Sequence, residues 1–160
     1  MRARAKDAPG QTSDYKTELM AAVAALRVDE IVAVWQQTIT ALTVEVGTGS
    51  IGYVGFSGGA GIDICLTATE PRISVAAVGL AGTEMFPFAA DAAPGVHIPL
   101  LFFTQWNDEV IPRMTAFDLF DRFGSTDKVL HANPGRYAEV PRSQLDAIET
   151  FMAGRLEAER

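Results

Sequence analysis

Four short, nearly unbroken apolar runs constrain the fold of this chain most: IGYVGF at 51–56, ISVAAVGL at 73–80, IPLLFFTQ at 98–105 and KVLHA at 128–132. A strand with one face in water alternates polar and apolar positions, so continuous runs predict strands covered on both faces, the habit of parallel sheets. Helical patterns separate the runs, expected at 59–69, 112–123 and 143–156. Strand and helix alternating in this way make βαβ units. In the second of these helices Met114, Phe117, Phe120 and Phe123 are expected inward; in the third, Leu145, Ile148, Phe151 and Met152, with Ser143 and Asp146 as a capping-box-like start. Two more helices precede the first strand. ELMAAVAAL repeats Leu19, Val23 and Leu26 at helical spacing, with Asp14 placed to start the turn. VDEIVAVWQQTITALTVEV sets Ile31, Val34, Trp35 and Leu42 on the face expected to meet the sheet, and stops at Gly47. The expectation is α/β class: a single domain over 1–160, a mostly parallel sheet flanked by helices, with 81–97 a long loop near the site.

Charge and composition narrow the partners. Thirteen Lys and Arg against twenty Asp and Glu leave a net charge of −7, which gives no electrostatic reason to approach nucleic acid or an anionic membrane. Cys65 is the single cysteine and forms no internal disulfide, so a reducing compartment is expected. With His97 and His131 as the only histidines, no metal site is expected and no cofactor is read from the sequence. The basic start MRARAKDAPG is followed by no apolar stretch of signal-peptide length, and the apolar windows fall short of the roughly 20 residues a membrane span needs. The cytoplasm is the expected location.

Two glycine motifs lie close together. Gly47-Thr48-Gly49-Ser50-Ile51-Gly52 matches G-x-G-x-x-G, but it follows a helix and enters a strand, the reverse of what a dinucleotide loop requires. Its glycines read as a helix stop and a turn. Gly55-Phe56-Ser57-Gly58-Gly59 matches G-x-S-x-G where a strand pattern becomes a helix pattern. A turn tight enough to lift the Ser57 hydroxyl above the sheet needs small residues two before and two after it, which Gly55 and Gly59 supply. The Gly58 N–H then points at a developing oxyanion. The plainer alternative is a βα turn whose serine caps the helix.

On these residues the sequence resembles the α/β-hydrolase superfamily, of serine esterase or lactonase type. The resemblance implies the chain order nucleophile, acid, histidine. Trp106-Asn107-Asp108-Glu109-Val110-Ile111-Pro112, after IPLLFFTQ, is similar to the family's acid loop, which makes Asp108 the acid. Asp108 or Glu109 alternatively caps the next helix. Asn133-Pro134-Gly135-Arg136-Tyr137 is similar to the loop in which the family writes Pro-Gly, one residue, then the catalytic histidine. This chain has Tyr137 there, and a phenol with a pKa near 10 cannot replace imidazole as a base at neutral pH. His131, six residues earlier, is the substitute candidate; His97 would enter the sheet from the opposite end.

The opening RARAKDAPGQTSD resembles a family strand and loop that earlier strands normally precede, and those earlier elements are absent. The expected core is therefore an N-terminally truncated one with an unpaired sheet edge, which a homodimer would cover. Phe56, Trp106 and Tyr137 are the pocket candidates, with Phe86 and Phe88 from the 81–97 loop; Phe102 and Phe103 read as core. Asp63 is expected to pair with Arg72, Asp118, Asp121 and Arg122 to form a solvated helix face, and Cys65 to be a small buried residue. The sequence supports two functions. One is hydrolysis of a small-molecule ester or related acyl bond by Ser57, impaired at its base; the other is a non-catalytic remnant of the fold that acts in ligand binding or subunit assembly.

Overall fold

The four apolar runs pair in chain order. A computed structural model of the chain describes residues 9–47 and 49–158. Strands β1 (Ile51–Phe56), β2 (Ile73–Gly79), β3 (Leu100–Gln105) and β4 (Lys128–Asn133) form one sheet of order β1-β2-β3-β4, parallel throughout. The two inner strands are buried almost end to end, whereas β1 and β4 are only partly covered. RARAKDA, at 2–8, which the resemblance reads as a family strand, lies outside the described residues.

Helices α1 (Pro9–Ala24), α2 (Val28–Val46), α3 (Gly58–Thr67), α4 (Pro87–Ala92) and α5 (Arg113–Arg122) precede α6 (Arg142–Ala158). Alternation along β3 divides the core. Leu100 and Phe102 join α1, α3, α4 and α5 on one face, while Leu101 and Phe103 meet Ile148, Phe151 and Met152 of α6 on the other. Burying side chains such as Phe102 and Phe103 stabilises by roughly 1.5–3 kcal/mol each, so the centre of the sheet carries most of the hydrophobic stabilisation.

The elements match the sequence reading better than the helix faces do. Helix α1 starts at Pro9, ahead of Asp14, because proline is preorganised for a first helical turn. In α2 the inward residues are Val32 and Ile39, packed on Leu66 and Ile73, while Val34, Trp35, Leu42 and Val44 are exposed. The buried face is rotated from the expected one, since apolar residues surround this helix and periodicity cannot choose among them. Gly47 ends it at φ 91°.

Helix α5 turns Ala116, Leu119 and Phe123 inward and leaves Met114 in water. In α6 Gln144 and Ile148 are buried, whereas Leu145 is exposed. No capping box forms there: α6 begins at Arg142, whose Nε donates to Asp146 Oδ1 at 3.0 Å. The 81–97 stretch is not a structureless loop but holds α4 and a 3-10 turn at Ala93–Gly95. Arg72 pairs with Glu70 at 2.6 Å instead of Asp63, which is fully buried and accepts from Thr67 Oγ1. Cys65 is half-buried, its thiol pushed up to about 11 chiefly by burial. Asp118 and Arg122 do form an exposed pair one turn apart.

Candidate active site

Ser57 is the one residue between β1 and α3. Its φ of 56° and ψ of −121° put a side-chain-bearing residue in left-handed backbone, at a cost on the order of 1–3 kcal/mol. The surrounding backbone imposes it: Ser57 N–H donates to Gly79 O at 2.9 Å, and Gly61 N–H donates to Ser57 O at 3.1 Å. A Cβ on Gly55 would stand 2.8 Å from Gly59 O, so glycine is required there. A Cβ on Gly59 would meet nothing within 4 Å, so the second glycine of the motif is not required by contact. Gly58 is the first residue of α3, and its N–H has no partner inside the helix.

The turn after β3 carries Asp108. Its Oδ1 accepts N–H from Val110 at 2.8 Å and Ile111 at 2.7 Å, a cap-like arrangement just before α5. Its Oδ2 is buried and has no hydrogen-bond partner among the described residues. Burial raises the Asp108 pKa above the usual carboxylate value; the two N–H bonds oppose this and the nearby Glu109 charge adds to it. One oxygen thus fixes the turn while the other is left to accept from something else.

Tyr137 reaches this place from the loop after β4. Its hydroxyl donates to Ser57 Oγ at 2.5 Å, across 80 positions of sequence. Burial raises the phenol pKa; the bond to Ser57 opposes this, while Tyr15 of α1 and Asp108 add to it. The group is therefore protonated at neutral pH and occupies a lone pair of the serine oxygen rather than taking its proton.

The other sequence candidates fall elsewhere. His131 Nδ1 lies 3.1 Å from Gln144 Oε1, on the α6 face of β4. The register Phe56–Gly79–Phe103–His131 runs straight across the sheet, so His131 stands three strand spacings from β1, about 14 Å at 4.7–4.9 Å each. His97 is exposed at the opposite end of β3, 3.2 Å from Gly124 O. Phe56 packs edge-on against Phe103 at 5.0 Å, within the α6-side core. Trp106 is exposed on the turn after β3, under the Arg113 guanidinium, which sits 4.5 Å from its ring centre. Phe86 is fully buried and packs edge-on with the half-buried Phe88. Gly47–Gly52, Thr48 apart, lies at the C-terminal end of α2, where helix carbonyls repel phosphate.

Three further residues, which the sequence reading does not single out as functional, complete the site. Gln105 Nε2 donates to Glu139 O at 2.8 Å and Arg136 O at 3.3 Å. Glu109 Oε2 accepts the Tyr137 N–H at 3.1 Å, and its Oε1 pairs with Arg136 at 2.7 Å. The available signal is Gln105 itself, an amide closing an apolar run, since a buried amide needs partners. No group of three or more metal-ligating side chains occurs among the described residues, and no described helix is long and apolar enough to cross a membrane.

No protein-family model and no curated protein matches the chain. Solved structures do. A zinc-bound, cold-adapted esterase from an Arctic intertidal metagenomic library is 30% identical over 81% of this chain, with a TM-score of 0.78. The chain spans 59% of that esterase's length. An esterase from Pyrococcus furiosus is 11% identical, covers 80% of this chain and 63% of its own, and superposes with a TM-score of 0.69. A monoacylglycerol lipase from Paleococcus ferrophilus is 13% identical, covers 79% and 75%, and gives 0.61. The last two likenesses are of fold.

Proposed function

The chain belongs to the α/β-hydrolase superfamily, and on that premise we propose that it carries an ester-hydrolase site whose nucleophile and acid are in place and whose base is replaced by tyrosine. Ser57 is the nucleophile, the Gly58 N–H an oxyanion donor and Asp108 the acid. The observation that carries the reading is the hydrogen bond from Tyr137 to Ser57 Oγ, which puts residue 137 where a general base would stand. The orphaned Asp108 Oδ2 supports it, because an imidazole oriented between serine and acid would use that oxygen.

The same bond explains impairment. An acyl transfer to Ser57 must move its proton away as the Oγ–C bond forms, and a protonated phenol that donates to Oγ cannot take it. Removing the base of a serine triad costs about 10⁴–10⁶-fold in turnover. The substrates proposed are small-molecule carboxylic esters or related acyl compounds, the class suggested by the esterase neighbours. The second reading, a non-catalytic ligand-binding or assembly protein, is favoured by the bond that Tyr137 makes to the serine oxygen.

For assembly we propose a second copy of the chain along the edge of β1 that pairs with no strand among the described residues. That edge is uncharged and is flanked by exposed Trp35, Leu42 and Val54 around a groove of about 700 Å³. Sedimentation that gives a monomer at all concentrations would overturn the dimer.

A fluorophosphonate serine probe with peptide mapping tests the site. The proposal expects slow labelling confined to Ser57, absent in Ser57→Ala and accelerated in Tyr137→His. Absence of labelling in a folded Tyr137→His protein would favour the non-catalytic reading.

A further inference from the structure

We infer that Glu109 is a positioning residue that sets where residue 137 stands against Ser57. The inference rests on the hydrolase reading only for its effect on turnover; the geometry stands without it. The acid turn and the 134–140 loop come from different strands, and their first links are backbone bonds: Trp106 N–H donates to Asn133 O at 2.7 Å and Asn107 N–H to Gly135 O at 3.0 Å. These hold the base of the loop but stop two residues short of its functional position.

Glu109 supplies the last link. One carboxylate oxygen accepts the backbone N–H of Tyr137 itself, and the other holds the guanidinium of the adjacent Arg136. Gln105 fixes the carbonyls on either side, at Arg136 and Glu139. The two residues at the tip are therefore gripped by N–H, C=O and side chain at once. Charge-assisted bonds of this kind are among the stronger ones available.

The acid turn thus divides its work between neighbours. Asp108 faces the chemistry through Oδ2, and Glu109 fixes the loop that must meet it. The Glu109 carboxylate that pairs with Arg136 also adds to the raised Asp108 pKa. A displacement of about 1 Å at a reacting group costs on the order of 10²-fold in rate, so losing this grip acts on turnover more than on substrate binding.

The test combines hydrogen exchange with kinetics. In the unmodified chain, Glu109→Ala should speed exchange of the Tyr137 amide at least tenfold. Glu109→Gln, which keeps an acceptor oxygen, should stay within threefold of the unmodified rate. In the Tyr137→His background with p-nitrophenyl acetate, Glu109→Ala should lower kcat ten- to a hundredfold with KM within twofold, and Glu109→Gln should restore most of it. Should Glu109→Ala not fold, Arg136→Met, which removes the ion pair with Glu109 and leaves the Glu109 bond to the Tyr137 N–H, should raise amide exchange at residue 137 severalfold. Unchanged exchange, or an effect on KM alone, would overturn the inference. If Tyr137→His is inactive whatever residue stands at 109, the hydrolase reading fails, and amide exchange still decides the role of Glu109.

Discussion

Ser57 and Tyr137 meet through one hydrogen bond, yet the segments that bring them there are held in different ways. Ser57 is fixed by backbone: a strained turn, an N–H bond into β2, and a glycine two residues before it that admits no Cβ. Tyr137 lies on a loop that backbone bonds from Trp106 and Asn107 hold at its base and that side chains, Gln105 and Glu109 among them, hold around residue 137. The difference teaches that the first segment tolerates almost no change in position, whereas the side chain at 137 can be exchanged without moving the loop. The proposed site, an elbow with a substituted base, is what such unequal construction would permit.

The largest expected effect comes from joining the two segments through chemistry. If Tyr137→His completes a relay, adding Asp108→Ala to it should remove about 10³–10⁴-fold of the restored turnover. A double variant as active as Tyr137→His would show that Asp108 serves only as the cap of its turn.

The next test is of the backbone-built side alone. Gly55→Ala forces a contact with the Gly59 backbone and should destabilise by about 2–4 kcal/mol in urea unfolding. Gly59→Ala should lie within about 0.5 kcal/mol of the parent. Equal losses at both positions would contradict the asymmetry of the elbow.

Helix α3, which backs the elbow, also buries Asp63 with Oδ2 unpartnered. Burial raises its pKa well above the usual carboxylate range, with the Thr67 bond opposing. Its contribution therefore favours folding below the ordinary value near 3.8 and is lost as pH rises through the folded value. Asp63→Asn should stabilise at pH 7 and should flatten the pH dependence of Tm. A destabilised variant would mean that the charge is compensated.

The smallest effect belongs to the phenol. Tyr137→Phe keeps the ring and removes the bond to Ser57, worth about 0.5–1.5 kcal/mol at neutral pH. Because burial raises the folded phenol pKa above the ordinary value, the stabilisation tied to the neutral phenol is present below the ordinary phenol value and lost as pH rises through the raised one. The alkaline limb of Tm against pH should shrink in Tyr137→Phe.

Much of this is legible in the residues. The four strands, the helix after Ser57 and the turn beyond β3 lie close to where the sequence puts them, because continuous apolar runs mark buried strands and a glycine-framed serine marks a strand-to-helix turn. Helix orientation is less legible. In α2, Val34, Trp35 and Leu42 offer as good an apolar stripe as Val32 and Ile39, yet the second set packs on Leu66 and Ile73 and the first is exposed among the described residues. Gln144 lies inward because His131 and Asn133 of β4 supply its polar partners, a pairing that no spacing announces. The same holds for Glu109, whose partners lie 27 and 28 positions away and are fixed only once β3 and β4 pair.

The central claim is an elbow complete except for its base, and steady-state hydrolysis of p-nitrophenyl acetate by Tyr137→His, beside the unmodified chain and Tyr137→His/Ser57→Ala, tests it most directly. The account predicts a gain of at least about 10³-fold over the unmodified chain, abolished when Ser57 is removed. A folded Tyr137→His protein with no gain, or with a gain that survives the loss of Ser57, would contradict it.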